Sequence, residues 1–319
     1  MKKILCVLMS CLLFVMAGCS GHSKNLKFGA ADIGGVYYSF ASTFTQLADK
    51  EIDGYTFETK TTAGSVANLR LISDGYIDLA IVQADLLSDA YNATGTFADK
   101  KYQKGYKAVT SLYTECCQIV VRKDSGITGI DDLINKTVSV GASESGSEKN
   151  AEQILKMSGI TDELINKVNM DYTEAAEKLK AGEIDAFFCT AGTRTEVIGQ
   201  LSKECDICLI SLDDKCIDKM LSAYSLCEKY TIPAGTYNGQ DSDVTTIGVK
   251  AVLIAKQSLS DDVIKNVTKT IYEHADDFKY ATSLDISFDI NTAADGVDIP
   301  FHSGAAAYYT ERGINVLIE

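Results

Sequence analysis

The sequence predicts an α/β fold of two lobes, with a ligand cleft between the lobes and strands that cross from one to the other. Short apolar runs alternate with helical patterns along most of the chain, as they do in α/β proteins. One order of elements (strand, Gly-bearing turn, helix, strand) occurs twice, about a hundred residues apart. Two apolar runs, at 116–121 and 244–255, are predicted to be the strands that enter the second lobe and return from it.

The stretch 61–85 is the clearest of these units. Ser65 follows a turn of small residues, and apolar side chains recur at helical spacing over 66–72, which predicts a helix capped by the Ser65 hydroxyl. Gly75 is suited to end that helix, and an apolar strand then runs to Gln83. Ligands of open α/β sheets bind beyond strand carboxyl ends and at helix N-termini, so we expect Ser65 and Gln83 at a binding site.

A second copy of this order lies further along the chain. Gly75 to Leu79 matches Gly182 to Ala186, and Phe28 to Ala30 matches Val140 to Ala142. Two matches in the same order indicate two similar lobes. The expected boundaries are a leader at 1–18, a tether at 19–25, lobe 1 at 26–114 plus 245–319, and lobe 2 at 115–244.

Loops that end at predicted helix starts supply the other candidate contacts. Gly34 allows a close backbone approach, and Tyr37 offers a ring and a hydroxyl. The Ser-rich loop at 141–147 favours an anionic group, and Arg194, just after a strand, could pair with a carboxylate. The predicted ligand-binding residues are Gly34, Tyr37, Ser65, Asn68, Gln83, Ser143, Ser145, Gly146, Ser147, Thr190, Ala191, Gly192 and Arg194. No catalytic residue, cofactor or metal is predicted.

Charge and the N-terminus restrict the function class. The net charge of −14 argues against a nucleic-acid partner, which needs a basic face. Lys2 and Lys3 precede an apolar run at 4–17, and Gly18-Cys19 follows it, as in a bacterial lipoprotein signal. Lipidation at Cys19 would anchor the mature chain on the outer face of the cytoplasmic membrane. Cleavage near this position without lipidation is the alternative.

The cysteines allow more than one interpretation. Seven of them remain after Cys19, and an odd number does not suit a full disulfide framework. Cys205, Cys208, Cys216 and Cys227 could form a four-thiolate zinc site, although the second pair is widely spaced. Free thiols, or a single disulfide such as Cys205–Cys227, are the other interpretations.

Several motifs together resemble one family of receptors. They are GGVYY (34–38), TAGSVANLRL (62–71), DLAIVQAD (78–85), LYTE (112–115), VGASESGS (140–147), DAFFCTAG (185–192), TIPAGTYNGQDSDVTT (231–246) and IPFHSGAAAYYTERG (299–313). Across nearly the whole mature chain, the sequence resembles the TAXI family of solute-binding proteins, which serve TRAP-type (tripartite ATP-independent periplasmic) transporters. The resemblance implies a type II periplasmic-binding-protein (Venus-flytrap) fold. It also implies capture of a small organic anion, a glutamate-like amino acid or a dicarboxylate, for delivery to a TRAP-type membrane permease.

Three loops depart from the family pattern. The first loop reads GAADIGG, with Asp32 as an added negative charge, where the family has GTGGTGG. Ser143 and Glu144 stand where Pro-Gly is usual, and Arg194 stands where a Pro is usual. These changes favour a zwitterion, or a ligand with an added cationic group, over plain glutamate.

Two other functions compete with a transport receptor. A serine hydrolase could use Ser143 or Ser145 with His302 and one of Asp241, Asp243 or Asp262, but the loop lacks the second glycine of a nucleophile elbow. A sensor would present the liganded lobes to another membrane partner. The sequence favours a binding protein without catalysis, in which a ligand that touches both lobes stabilises the closed state.

Overall fold

The computed structural model describes residues 23–99, 105–283 and 288–318. The leader and Cys19 lie outside the described residues. In these three ranges, no helix is both long and apolar enough to cross a bilayer.

The described residues form ten strands and ten α-helices. The strands are β1 Lys24–Gly29, β2 Tyr55–Lys60, β3 Leu79–Gln83, β4 Tyr106–Arg122, β5 Thr137–Ser139, β6 Asn166–Val168, β7 Ala186–Ala191, β8 Ile207–Leu209, β9 Cys227–Ile232 and β10 Val244–Lys256. The helices are α1 Val36–Glu51, α2 Ser65–Ser73, α3 Ala84–Asn92, α4 Gly146–Met157, α5 Tyr172–Ala181, α6 Glu196–Glu204, α7 Asp214–Ala223, α8 Asp261–Glu273, α9 Ala275–Thr282 and α10 Ser303–Thr310.

Two long strands connect the lobes, as the sequence predicts. The sheet order is β2-β1-β3-β10-β4-β7-β5-β6, with β8 beside β4 and β9 beside β10. The 17-residue β4 pairs with β10 over Tyr106–Cys116 and then with β7 from Cys116 onward. β10 likewise pairs with β3 at one end and with β9 at the other. A single continuous sheet therefore runs through both lobes.

The internal repeat is a real structural repeat. In the first repeat (residues 24–83), Lys27 donates its backbone N–H to the Asp78 carboxylate at 2.9 Å, and Asp78 donates back to the Lys27 carbonyl at 2.8 Å. In the second repeat (residues 137–191), Thr137 and Asp185 exchange the same two bonds, both at 2.8 Å. Each Asp fixes the register in which the strand after the helix joins the first strand of its repeat in parallel, β1 with β3 and β5 with β7.

The core lies on both faces of the sheet. Phe28, Phe40 and Phe44 belong to a large cluster in which α1 covers β1 and β2. A second cluster packs Ile154 of α4 and Ile217 of α7 against Val138, Phe188 and their neighbours on β5 and β7. Burial of these apolar faces places the polar ends of both repeats at the edge where the lobes meet.

The structure also contains elements that the sequence did not predict. The region 196–232 folds into α6, β8, α7 and β9, of which β8 has three residues and β9 is exposed at half of its positions. The strands β8 and β9 are too short or too exposed to show the apolar periodicity on which such predictions depend. His274 separates α8 from α9, and its imidazole contacts the carboxylates of Glu51 and Asp277.

Candidate functional site

A cavity lies between the two repeats. It has a volume of about 470 Å³ including its mouth, and residues of the first repeat, the second repeat and β4 line it. Eight of the thirteen predicted ligand-binding residues are in its wall: Tyr37, Ser65, Gln83, Ser145, Gly146, Ser147, Thr190 and Ala191. Residues from distant parts of the sequence thus meet at one site.

Several helices begin at the cavity wall. They include α1 after Gly35, α2 after Gly64 and α4 after Ser145, as well as α3 after Gln83 and α5 after Asp171. The first backbone N–H groups of a helix have no partner within it, so the starts of α1, α2 and α4 present donors and the positive ends of their dipoles. Gly64 has a φ of +128°, and a Cβ there would lie 3.1 Å from the Cα of Ser145, so the two lobes touch at this point.

The serines of the two repeats play parallel roles. The Ser65 hydroxyl accepts the backbone N–H of Gln83 at 3.1 Å, and the Ser147 hydroxyl accepts that of Thr190 at 2.8 Å. The prediction that Ser65 caps α2 is wrong, because Gly64 is the cap residue and the Ser65 hydroxyl turns to the end of β3. Ser145 is the true capping serine and accepts the N–H of Glu148 at 3.0 Å.

Five predicted residues do not line the cavity. Asn68 is fully buried and bonds to the carbonyls of Gly29 and Ile81, so it ties α2 to two strands. Arg194 and Ser143 are exposed, the former in a left-handed turn with a φ of +68°. Gly34 faces the start of α5, where an added Cβ would lie 3.2 Å from the Thr173 hydroxyl, and the Gly192 carbonyl accepts from Thr195 inside the fold.

The cavity wall also contains residues that sequence reasoning missed. Glu115, in the middle of β4, is only 2% exposed and accepts a hydrogen bond from the Tyr37 hydroxyl at 2.8 Å. Tyr172, at the start of α5, donates its hydroxyl to the Thr190 carbonyl at 3.0 Å. An acidic residue within an otherwise apolar strand is the signal that could have indicated Glu115, since unpaired charges are costly to bury.

The electrostatics of the cavity are acidic. Asp32, Glu115 and Asp171 line it, whereas no Lys, Arg or His does so among the described residues. Burial raises the pKa of Glu115 to about 8, although hydrogen bonds from Tyr37 and Gln83 oppose the shift. Burial and the nearby charge of Asp171 also raise the pKa of Asp32. The described part of the cavity wall therefore offers these groups no positive charge of its own.

An ion pair and two hydrogen bonds connect the repeats at the cavity edge. The Arg70 guanidinium holds both carboxylate oxygens of Glu144, at 2.7 and 3.1 Å. Ala67 donates its N–H to the Glu144 carbonyl at 3.0 Å, and Tyr172 donates its N–H to Asp32 at 3.3 Å. These contacts can form only when the lobes are closed on each other.

The arrangement does not favour the hydrolase alternative. Ser145 caps α4. The His302 Nδ1 atom accepts the N–H of Gly304 at the start of α10 and lies 3.7 Å from an Asp261 carboxylate oxygen. His302 is buried away from the cavity wall that contains Ser145. A nucleophile needs its base within hydrogen-bond reach.

The cysteines of the described residues are separate thiols. All seven from Cys116 to Cys227 are free, and Cys205 and Cys227 form no disulfide. In the same part of the chain, no group of three or more His, Cys, Asp or Glu side chains is placed to hold a metal. The zinc interpretation of Cys205, Cys208, Cys216 and Cys227 is therefore not supported.

Comparisons with known proteins agree with this architecture. Residues 28–313 match the model of the NMT1-like family. The structure is similar to PhnD1 from Prochlorococcus marinus (MIT 9301) in complex with methylphosphonate, with a TM-score of 0.58, 12% identity, and coverage of 85% of this chain and 94% of that chain. It is also similar to a putative L-cystine ABC transporter protein from Listeria monocytogenes, with a TM-score of 0.52, 15% identity, and coverage of 82% and 94%. The predicted type II periplasmic-binding-protein fold is confirmed.

Proposed function

The chain belongs to the NMT1-like family, and from that premise we propose that it is an extracytoplasmic receptor that encloses a small organic ligand between its lobes. The observation that carries this proposal is the composition of the cavity wall. Ser65 and Gln83 come from the first repeat, whereas Ser145, Ser147 and Thr190 come from the second. A ligand that touches both lobes binds the closed form better than the open form and shifts the population toward closure.

The ligand is proposed to carry an anionic group. The starts of α1, α2 and α4 direct backbone N–H groups and helix dipoles at the cavity. The TAXI resemblance adds a glutamate-like amino acid or a dicarboxylate as the class to test first. Of the structural relatives named above, one is described in complex with methylphosphonate and the other as a putative L-cystine ABC transporter, so phosphonates and amino acids are included among the compounds to test.

The partner and the location belong to the same proposal. The closed lobes would present the ligand to a membrane transporter, and the TAXI resemblance suggests a permease of the TRAP type. Cys19 would carry the lipid that anchors the receptor on the outer face of the cytoplasmic membrane. Labelling of the full-length protein with a palmitate analogue in a bacterial host, compared with Cys19→Ser, tests the anchor. A signal that persists in Cys19→Ser would refute it.

The receptor function is tested on the leaderless protein, from Ser20 onward. The protein is first stripped of bound molecules by unfolding and refolding, and is then screened with amino acids, dicarboxylates, 2-oxo acids and phosphonates by thermal shift. A ligand that binds only the native state adds about 2.7 kcal/mol of stability at a hundredfold excess over Kd. A p-nitrophenyl ester assay on the same batch serves as the test of hydrolysis. Binding without hydrolysis supports the receptor, whereas ester cleavage that Ser145→Ala abolishes would contradict it.

A further inference from the structure

A buried carboxyl group without a cation is the feature of the cavity that most restricts its ligand. Glu115 belongs to β4, lines the cavity and is only 2% exposed. Within the described residues, no cationic group is among the titratable side chains that interact electrostatically with Glu115. These are Asp85, Tyr37, Tyr113, Tyr172, Cys116 and Cys189. An ionised carboxylate in such a place needs a positive partner.

Gln83 provides a second, independent indication. Its side chain is 1% exposed and lines the cavity, and its Oε1 atom has no hydrogen-bond partner within the described residues. Buried polar atoms of native proteins are nearly always paired, so an orphaned acceptor at a binding cavity indicates a donor on the ligand. The side chain of Gln83 also hydrogen-bonds to Glu115. The Gln83 Oε1 atom and the Glu115 carboxyl group therefore lie close together at the cavity wall.

Two aromatic rings complete this region. Tyr37 and Tyr172 line the cavity on opposite repeats, and Tyr37 holds Glu115 through its hydroxyl. Aromatic faces attract cations, and a carboxylate beside them is a common arrangement for ammonium groups. The anionic group of the same ligand has its own place at the helix starts, where Ser65 and Gly146 supply backbone donors.

From this geometry we propose that the ligand is a small zwitterion, whose protonated amine is bound by Glu115 and Gln83 while its carboxylate lies at the helix starts. This inference rests on the proposed receptor function and narrows the class of ligand. Amino acids bind, whereas the same acids without an amine do not. It places the ligand's positive charge against the first repeat and β4. Arg194, the cation expected near the ligand from the sequence, has no part in it, because it is exposed and outside the cavity wall.

The test uses matched pairs of compounds on the stripped, leaderless protein. The twenty protein amino acids are compared, by thermal shift and then by calorimetry, with their deaminated acids, for example L-glutamate with glutarate. For any pair that binds, we expect the amino acid to bind at least tenfold more tightly than its deaminated acid. Equal or tighter binding of the deaminated acid would refute the amine site and leave the receptor standing, whereas no binding by any compound would refute both.

Variants then test the role of Glu115 itself. Glu115→Gln keeps the shape of the side chain and should weaken the best amino acid at least tenfold, while Glu163→Gln, an exposed carboxylate elsewhere, should not change its affinity. Tyr37→Phe, which keeps the ring but loses the hydroxyl's bonds to Glu115 and Ser65, should weaken it less. Unchanged affinity in Glu115→Gln would overturn the assignment.

Proton release separates direct contact from a structural role. Because its pKa is raised to about 8, Glu115 is mostly protonated at pH 7, and an ammonium bound beside it must displace that proton. Calorimetry of the wild type at pH 7, in buffers of different ionisation enthalpy, should show release of up to about one proton on binding. Glu115→Gln should show none. Binding of an amino acid to the wild type without proton release would contradict the ion pair.

Discussion

The two repeats share a scaffold but present different chemistry to the cavity. In both, an Asp fixes the strand register, and a serine hydroxyl accepts the N–H of the residue at or near the end of the strand that follows, Gln83 or Thr190. The first repeat then adds an amide and, with β4, a buried carboxyl, whereas the second adds hydroxyls at Ser145 and Thr190. A duplicated frame can therefore recognise the two ends of a dipolar ligand with different groups.

The repeats also differ in how firmly their helices are attached. Asn68 lies three residues after Ser65, and Asn150 lies three residues after Ser147. Asn68 bonds to two strand carbonyls and accepts from Thr62 at 2.7 Å. Asn150 donates to Gln153 and leaves its Oδ1 without a partner among the described residues. The asparagine at this position therefore attaches its helix firmly to the sheet in the first repeat, but in the second its side chain makes only one bond within the part of the chain that the structure describes, and that bond is to its own helix.

The first expected effect concerns the buried carboxyl that β4 adds to the cavity wall, Glu115. Burial raises the pKa of Glu115 to about 8 from an ordinary 4.5, so the unfolded chain releases this proton before the folded one does. The free energy of unfolding must therefore fall as pH rises, by up to about 1.4 kcal/mol per unit. Burial also raises the pKa of Asp85, to about 6, so this group lowers the free energy of unfolding further as pH rises, but at lower pH than Glu115 does.

Urea unfolding of the ligand-free protein between pH 6 and 8 measures the effect of Glu115. We expect the wild type to lose about 2 kcal/mol more than Glu115→Gln over this window. The difference between the two proteins cancels the titration of His274 and His302, which both share and which do not act on Glu115. Parallel pH profiles would show that the carboxyl is not buried as described.

The two asparagines provide the next comparison. Asn68→Ala leaves several buried groups unpaired and should cost about 3 kcal/mol in the free energy of unfolding. Asn150→Ala loses one bond and should cost about 1 kcal/mol. Chemical denaturation of both variants checks the order. Equal costs would mean that the repeats are attached alike.

Gly146→Ala tests the close approach of the repeats. A Cβ on Gly146 would clash with the side-chain amide of Gln83, closest to its Oε1. Gln83 is buried and cannot move away without opening the cavity wall, so we expect at least tenfold weaker ligand binding, about 1.4 kcal/mol. Gly199→Ala in α6, where a Cβ would meet nothing within 4 Å, is the control. Calorimetry with the best compound of the screen measures both, and equal affinities would contradict the contact.

The smallest effect is expected at the ion pair that joins the repeats. The side chains of Arg70 and Glu144 are 40% and 38% exposed, so their pair contributes about 0.5 kcal/mol to closure and is screened by salt. Arg70→Ala should weaken ligand binding about twofold at low salt and less at 0.5 M salt. A tenfold loss that salt does not change would give the pair a larger role in closure.

Local sequence determined the parts of the fold and site that depend on neighbouring residues. The alternation of strands and helices, the repeat, and the loops at Tyr37, Ser65 and 145–147 follow from periodicity, glycine positions and capping chemistry. The lipid anchor and the lobe boundaries stay predictions. Ser65 shows the limit of such reasoning, because a capping serine and a serine that bonds to a neighbouring strand have the same sequence context.

Tertiary structure alone decided which side chains line the cavity. Glu115 lies in a strand that is buried on both sides, where alternation does not reveal the side that borders the cavity, and its neighbour Tyr37 is 78 residues away in the chain. Asn68 and Arg194 have the residue types of a binding site, but packing placed one inside the fold and the other at the surface. Such contacts depend on strand register and lobe closure, which are set by the whole chain rather than by any one segment.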